Sequence, residues 1–192
     1  MSGIYAEKVS LATAREIYET YMKKDFPPEE IKPFPVIEKM WEKKSYFVYV
    51  FYENMSPCAY AFLLADNKER VLLLDYFAVL EQRRGEGYGS YALSLLRETC
   101  ADWNALLIEV ENDEMADIDE ETRTMRKRRI SFYTEAGCLM TDVRSRLWDV
   151  NYRIMVMPLS DRYAGERIEE KLVSLYRGMY NEKKLKENFA LL

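Results

Sequence analysis

The apolar residues recur with two periods along the chain, and each change of period marks a new element. In residues 10–23, Leu11, Ile17 and Tyr21 stand among polar neighbours at helical spacing. Pro27 and Pro28 interrupt that helix. A second helix is expected over residues 35–43, with Pro35 in its first turn. Residues 46–52 (YFVYVFY) are a run of β-formers. Residues 54–57 read as a turn, 58–65 resume an extended pattern, and 67–70 form another turn, so this stretch predicts an antiparallel meander. Residues 71–80 (VLLLDYFAVL) are the most apolar segment and read as a central strand buried on both faces.

Downstream, a glycine-rich loop at 85–89 gives way to Tyr88, Tyr91, Ala92, Leu95, Leu96 and Thr99 at helical spacing. Residues 105–111 (ALLIEVE) predict a further strand. Residues 118–135 predict a helix, acidic at its start and basic later as the helix dipole favours, with Gly137 as its C-cap. Two last strands fit 138–147 and 152–158, and the chain is expected to be helical again from Ala164. There Ile168, Leu172, Leu175, Tyr176 and Met179 make one apolar face. The expected organisation is a domain over 1–160 and a helical extension over 161–192. The extension buries its face either on the domain or on a partner chain, and the latter would make a homodimer.

Composition narrows the function classes. With 48% apolar residues in 192, the chain can build a sizeable core. A net charge of −5 argues against nucleic-acid binding, which needs a basic face. No secretory h-region and no membrane-length apolar stretch is visible. Cys58, Cys100 and Cys138 lie far apart without a CxxC pair, which fits a reducing cytoplasm. The absence of histidine excludes Ser-His-Asp and Cys-His machinery and the common zinc sites, and no metal is expected. A general base must then be a carboxylate, tyrosine, lysine, cysteine or water.

The strongest chemical signal is the step from strand to loop to helix: Gln82-Arg83-Arg84-Gly85-Glu86-Gly87-Tyr88-Gly89-Ser90. Glycine admits positive φ and close approach of a ligand. The unpartnered amides of a helix start, with the helix dipole, suit a pyrophosphate. A dinucleotide fingerprint would need a glycine at position 90, and a P-loop would need Gly-Lys-Ser/Thr; neither is present. Arg84-x-x-Gly87-x-Gly89 instead resembles the pyrophosphate-binding motif of the GNAT superfamily of N-acetyltransferases. Phe77-Ala78-Val79 before it, and Ser90 and Leu93 after it, match that family's context.

A second match is Phe132-Tyr133-Thr134-Glu135-Ala136-Gly137, which resembles the aromatic pair and glycine near the end of the family's fourth helix. Glu109-Val110-Glu111 resembles the family's Glu-Val-Arg on the fifth strand. The resemblance covers roughly residues 8–158. It implies an α+β fold in α/β/α layers, with a mixed, mostly antiparallel central sheet flanked by helices. It implies acetyl-CoA as cosubstrate, bound by Phe77, Ala78, Val79, Arg84, Gly85, Glu86, Gly87, Tyr88, Gly89 and Ser90, with Arg126 and Tyr133 along the pantetheine arm. A backbone N–H at or near Val79 would stabilise the carbonyl oxygen. It also implies Glu109 or Glu111 as base and Tyr133 as the acid that protonates the leaving thiolate.

The sequence departs from the family in three ways. Glu109 and Tyr133 lie 24 positions apart, about twice the usual spacing. Arg126 and Arg129 stand where Asn and Ala are common, and Cys138 replaces an aromatic residue. Cys138 is also open to a reading as a covalent acyl carrier. The basic run from Arg123 to Arg129 reads as a solvated face paired with nearby acids, for example Asp119 with Arg123. Acidic residues at 109–121 favour a cationic acceptor, either a small-molecule or a peptidyl amine. The competing function on the same fold is a non-catalytic CoA- or acyl-CoA-binding sensor or interaction module.

Overall fold

The computed structural model describes residues 3–161, 163, 165 and 167–192. Its centre is one eight-stranded sheet in the order β1-β2-β3-β4-β5-β7-β6-β8. The strands are β1 (Ile4–Lys8), β2 (Tyr46–Glu53), β3 (Ser56–Asp66), β4 (Val71–Val79), β5 (Ala105–Glu111), β6 (Leu139–Leu147), β7 (Val150–Pro158) and β8 (Phe189–Leu191). Every neighbouring pair is antiparallel except β4–β5. The meander is present, and Asn54 and Met55 turn it at positive φ, as a tight hairpin needs.

Helices cover both faces. One face carries α1 (Leu11–Ile17), which runs on through a π-helical turn (Tyr18–Met22) into α2 (Lys23–Asp25), together with α3 (Phe34–Glu42) and α6 (Ile168–Met179). Its core includes Ile17, Met22, Ile37, Val48, Phe62, Leu73, Leu107 and Leu172. The other face carries α4 (Tyr88–Thr99) and α5 (Glu120–Glu135), with Leu63, Leu72, Leu93, Leu96, Leu106, Ile108 and Tyr133 in its core. This is the layered, mostly antiparallel α+β architecture expected from the sequence. Alternation along each strand assigns the faces, because successive side chains point to opposite sides. Helix starts follow local chemistry: Ser10 accepts from the Thr13 amide, and Asp119 from the Thr122 amide at 2.7 Å.

The structure adds elements that the sequence pattern did not declare. β1 and β8 are short edge strands, and α7 (Glu182–Asn188) follows α6 after a break at Tyr180. The expected helical start at Ala164 lies outside the described residues; α6 begins at Ile168. Its apolar stripe packs on β3 and β4 of the same chain. No helix among the described residues is long and apolar enough to cross a membrane.

Segment 71–80 is not buried throughout. Val71 to Leu74 are buried, whereas Asp75, Phe77, Ala78 and Val79 are partly exposed. The register gives the cause. β3 pairs Phe62 with Tyr76 but Leu63 with Leu74, so Asp75 is an extra, bulged residue. On its other edge β4 pairs with β5 only through Val71–Ala105, Leu72–Leu106 and Leu73–Leu107. Beyond these three pairs the two strands part, although each keeps its outer neighbour: β3 follows β4 to Val79, and β7 follows β5 to Glu111. A wedge thus opens in the middle of the sheet, at the C-terminal ends of β4 and β5.

Leu172 on α6 is fully buried between the helix and this sheet face. Leu172→Ala should therefore cost ~2–5 kcal/mol of unfolding free energy. Urea denaturation reads this directly. A loss below about 1 kcal/mol would mean that α6 is not docked.

Candidate functional site

The mouth of the wedge is framed by the loop after β4. Leu80 is followed by a 3-10 turn (Glu81–Arg83), and the chain then reverses at Gly85 (φ 80°) and Gly87 (φ 82°) before entering α4. Both glycines occupy the left-handed region, where a side chain is strained. Gly87 is the N-cap residue of α4 and no side chain caps the helix, so its first amides remain available to an anion. Glu86 and Ser90 are exposed. Gly89 serves packing: a Cβ there would lie 3.1 Å from the Phe132 ring and 3.4 Å from a Val79 methyl. These residues fit a diphosphate group.

Side chains brace this loop from behind. Arg84 donates from Nε to the Val79 carbonyl (3.1 Å) and pairs with Asp25 (2.6 Å), whose other oxygen accepts from Tyr60 (2.8 Å). Tyr88 is buried and donates to Glu53 (2.6 Å), which also pairs with Arg83 (3.3 Å). The loop is thereby tied to the end of α2 and to strands β2 and β3. The sequence reading found Arg84 and Tyr88 but not Asp25, Tyr60 or Glu53. Those partners lie 24 or more positions away and carry no local signal.

On the α4/α5 side of the wedge, Phe77 stacks on Phe132 (6.3 Å between centroids, 19° between planes), and Phe132 meets Tyr133 edge-on at 5.1 Å. Tyr133 is buried, and burial raises its pKa, with Arg129 opposing. The phenol therefore stays protonated at neutral pH. Gly137 ends the helix at φ 83°, and the Cys138 amide returns to the Tyr133 carbonyl at 3.0 Å. Cys138 is 2% exposed, and burial pushes its thiol up to about 12, so the thiolate that an acyl carrier needs is suppressed.

On the opposite face, Glu109 and Asp75 approach one another beneath α6. Asp75 accepts from Lys32 Nζ (2.7 Å) and from the Tyr46 hydroxyl. Glu109 accepts from the Tyr176 hydroxyl. Burial raises the Glu109 carboxyl to about 7, with Tyr176 and Lys32 pulling it down and Asp75 pushing it up. Glu109 and Tyr133 thus lie on opposite faces of the sheet. Glu111 differs from Glu109: its two oxygens accept from Arg126 (3.2 Å) and Arg129 (3.0 Å).

The acidic segment that favoured a cationic acceptor is largely spent on internal pairs. Asp113 pairs with Arg153 (2.9 Å), and Glu114 pairs with Arg144 (2.7 Å) and Arg153 (3.1 Å). Arg123 binds the carbonyls of Asp113 and Met115, and Arg126 binds that of Asn112 at 2.7 Å. The basic run therefore fastens the segment inserted between β5 and α5. Arg123 pairs with Glu120 rather than with Asp119, which caps the helix instead. Among the described residues, no cluster of acidic or thiol side chains could hold a metal ion.

The raised Glu109 carboxyl has a thermodynamic consequence. Its folded pKa lies above the usual 4.5, so the folded chain holds a proton that the unfolded chain has released, and stability falls as pH rises from about 4.5 to 7. Glu109→Gln should remove that loss. The variant should gain up to about 3 kcal/mol over the native chain at pH 8 relative to pH 4.5. Urea melts at the two pH values measure it, and an unchanged difference would show that Glu109 titrates normally.

Comparison with known proteins agrees with this geometry. A structure described as a GNAT-family acetyltransferase from Bacteroides thetaiotaomicron superposes with a TM-score of 0.69 at 18% identity, covering 91% of this chain and 99% of that one. The ribosomal-protein-S18-alanine N-acetyltransferase of Escherichia coli gives 0.57 at 18% identity, covering 86% and 98%. The spermidine N-acetyltransferase of Vibrio cholerae, solved with CoA and spermine, gives 0.60 at 10% identity, covering 83% and 97%. No curated protein matches at a significant level. The model of the acetyltransferase (GNAT) family matches residues 14–119, more than half of the chain. With the parted β4–β5 pair and the glycine loop at its mouth, that match makes the chain a member of the GNAT acetyltransferase family.

Proposed function

We propose that the protein is an acetyl-CoA-dependent N-acetyltransferase that passes the acetyl group directly to a primary amine. The observation that carries the reading is the wedge. It has a helix start with no side-chain cap at its mouth, a desolvated carboxyl on one face and a protonated phenol on the other. Acetyl-CoA supplies the acetyl group as a thioester. In this reading the amides at the start of α4 hold the diphosphate, the unpaired edges of β4 and β5 receive the pantetheine arm, and an amide near Val79 faces the carbonyl oxygen.

Glu109 is the base. An amine attacks only after losing its proton, and a carboxyl poised near 7 accepts it within the physiological range. Glu109 keeps partial exposure as a residue although its carboxyl is desolvated, and water entering the wedge carries the proton to it. Glu111 is the weaker candidate because both of its oxygens are engaged by guanidinium groups. Tyr133, on the far side, donates to the thiolate as the C–S bond breaks. The opposed placement lets the acceptor arrive from the α6 side while the thiol departs toward α5. Three free, buried cysteines suit a reducing cytoplasm.

Thiol release from acetyl-CoA, followed with a thiol-reactive dye across a panel of primary amines including spermidine and an alanine-ended peptide, tests the activity. Glu109→Gln should lower kcat ~10²–10⁴-fold. Tyr133→Phe should lower kcat by a similar order while leaving CoA affinity intact. Full activity in either variant would remove that residue from its role. CoA binding by the native chain with no turnover of any amine would favour the sensor reading.

Gly87→Glu places a side chain at positive φ and a carboxylate among the amides that would hold the diphosphate. Calorimetry should find CoA binding abolished. Unchanged affinity would move the nucleotide away from this loop.

A further inference from the structure

We infer that the C-terminal helix is part of the catalytic centre, with Tyr176 acting as the positioning residue that fixes the Glu109 carboxyl at the wedge. This inference rests on the reading of Glu109 as base.

Along α6 the buried residues are Ile168, Leu172, Leu175 and Tyr176. Three of the four offer only carbon to the sheet. Tyr176 is 1% exposed, and its ring is held by Phe189 at 4.9 Å and Tyr180 at 6.2 Å between centroids. A phenylalanine would fill that space. The one feature it would lack is the hydroxyl, which donates to Glu109. A buried hydroxyl is costly without a partner, and a buried carboxyl likewise. Each satisfies the other, and the contact joins a residue of the extension to β5 across 67 positions of sequence.

The surroundings show why the orientation needs an external hold. Glu109 is approached by Lys32 from the segment before α3, Asp75 from β4, Tyr152 from β7, Tyr176 from α6 and Tyr180 just after it. The Lys32 ammonium and the Tyr46 hydroxyl are both committed to Asp75. Among the described residues, Tyr176 is the hydrogen-bond donor that reaches Glu109. A donor to the carboxylate favours its ionised form, so Tyr176 both aims the base and keeps its proton affinity down.

The test needs no acceptor at first. The protonated-carboxyl band of Glu109 is identified by infrared difference spectroscopy as the band lost in Glu109→Gln, and is titrated in the native chain and in Tyr176→Phe. The Phe variant should titrate about one pH unit higher. Replacing Tyr176 with 3-fluorotyrosine, a stronger donor that preserves the packing, should move the titration downward. An unmoved band in both variants would overturn the inference; where the Phe variant folds poorly, an unmoved band in the fluorinated chain overturns it.

With the fastest panel amine at saturation, the acid limb of kcat in Tyr176→Phe should move up by the same interval, with the high-pH plateau retained. A uniform loss at every pH would show a merely structural role and overturn the inference. If Glu109→Gln is inactive while Tyr176→Phe leaves the limb in place, only the positioning role fails. If Glu109→Gln is fully active, the base assignment fails first.

Discussion

The structure turns on the separation of two parallel strands. β4 and β5 share only three register pairs before they diverge, and the divergence begins where Asp75 is inserted as a bulge. The bulge is held by charge. Asp75, with a side chain 6% exposed, meets Lys32, 18% exposed, and Tyr46 from β2. Removing one member of such a pair strands the other charge, at a cost of roughly 3–5 kcal/mol. The same pair therefore fixes the bulge and places a cation near Glu109. The shape of the wedge and the electrostatics of its inner face come from one set of contacts.

Two faces with different chemistry follow from strand alternation. Leu107 and Glu109 project toward the face that carries α1, α3 and α6, whereas Ile108 and Val110 project toward α4 and α5. A ligand in the gap would touch both. The carboxyl on one side is poised near neutrality by burial, and the phenol on the other is kept protonated by burial. Desolvation produces both effects because it disfavours whichever form is charged.

Much of this was legible in the sequence where the signal was local. The run VLLLDYFAV announced β4, the glycines at 85, 87 and 89 announced the loop, and Phe132-Tyr133 with Gly137 announced the end of α5. What escaped depended on partners distant in the chain. β1 is a five-residue edge strand, and β8 has three residues, too short to show a period. The parting of β4 from β5 is a property of register, which composition does not encode. The acids at 111, 113 and 114 resembled a cationic-substrate surface until the structure paired them with Arg126, Arg129, Arg144 and Arg153. Tyr176 read as one more apolar residue on a helical stripe because its hydroxyl partner lies on a strand far upstream.

The account stands or falls on what occupies the gap between β4 and β5. A crystal structure with bound CoA tests it most directly. The diphosphate should lie against the amides of residues 85–90, and the thiol should lie in the gap, with Glu109 and Tyr133 on opposite sides of it. A nucleotide seated on any other surface at saturating concentration, with the gap left closed, would contradict the account.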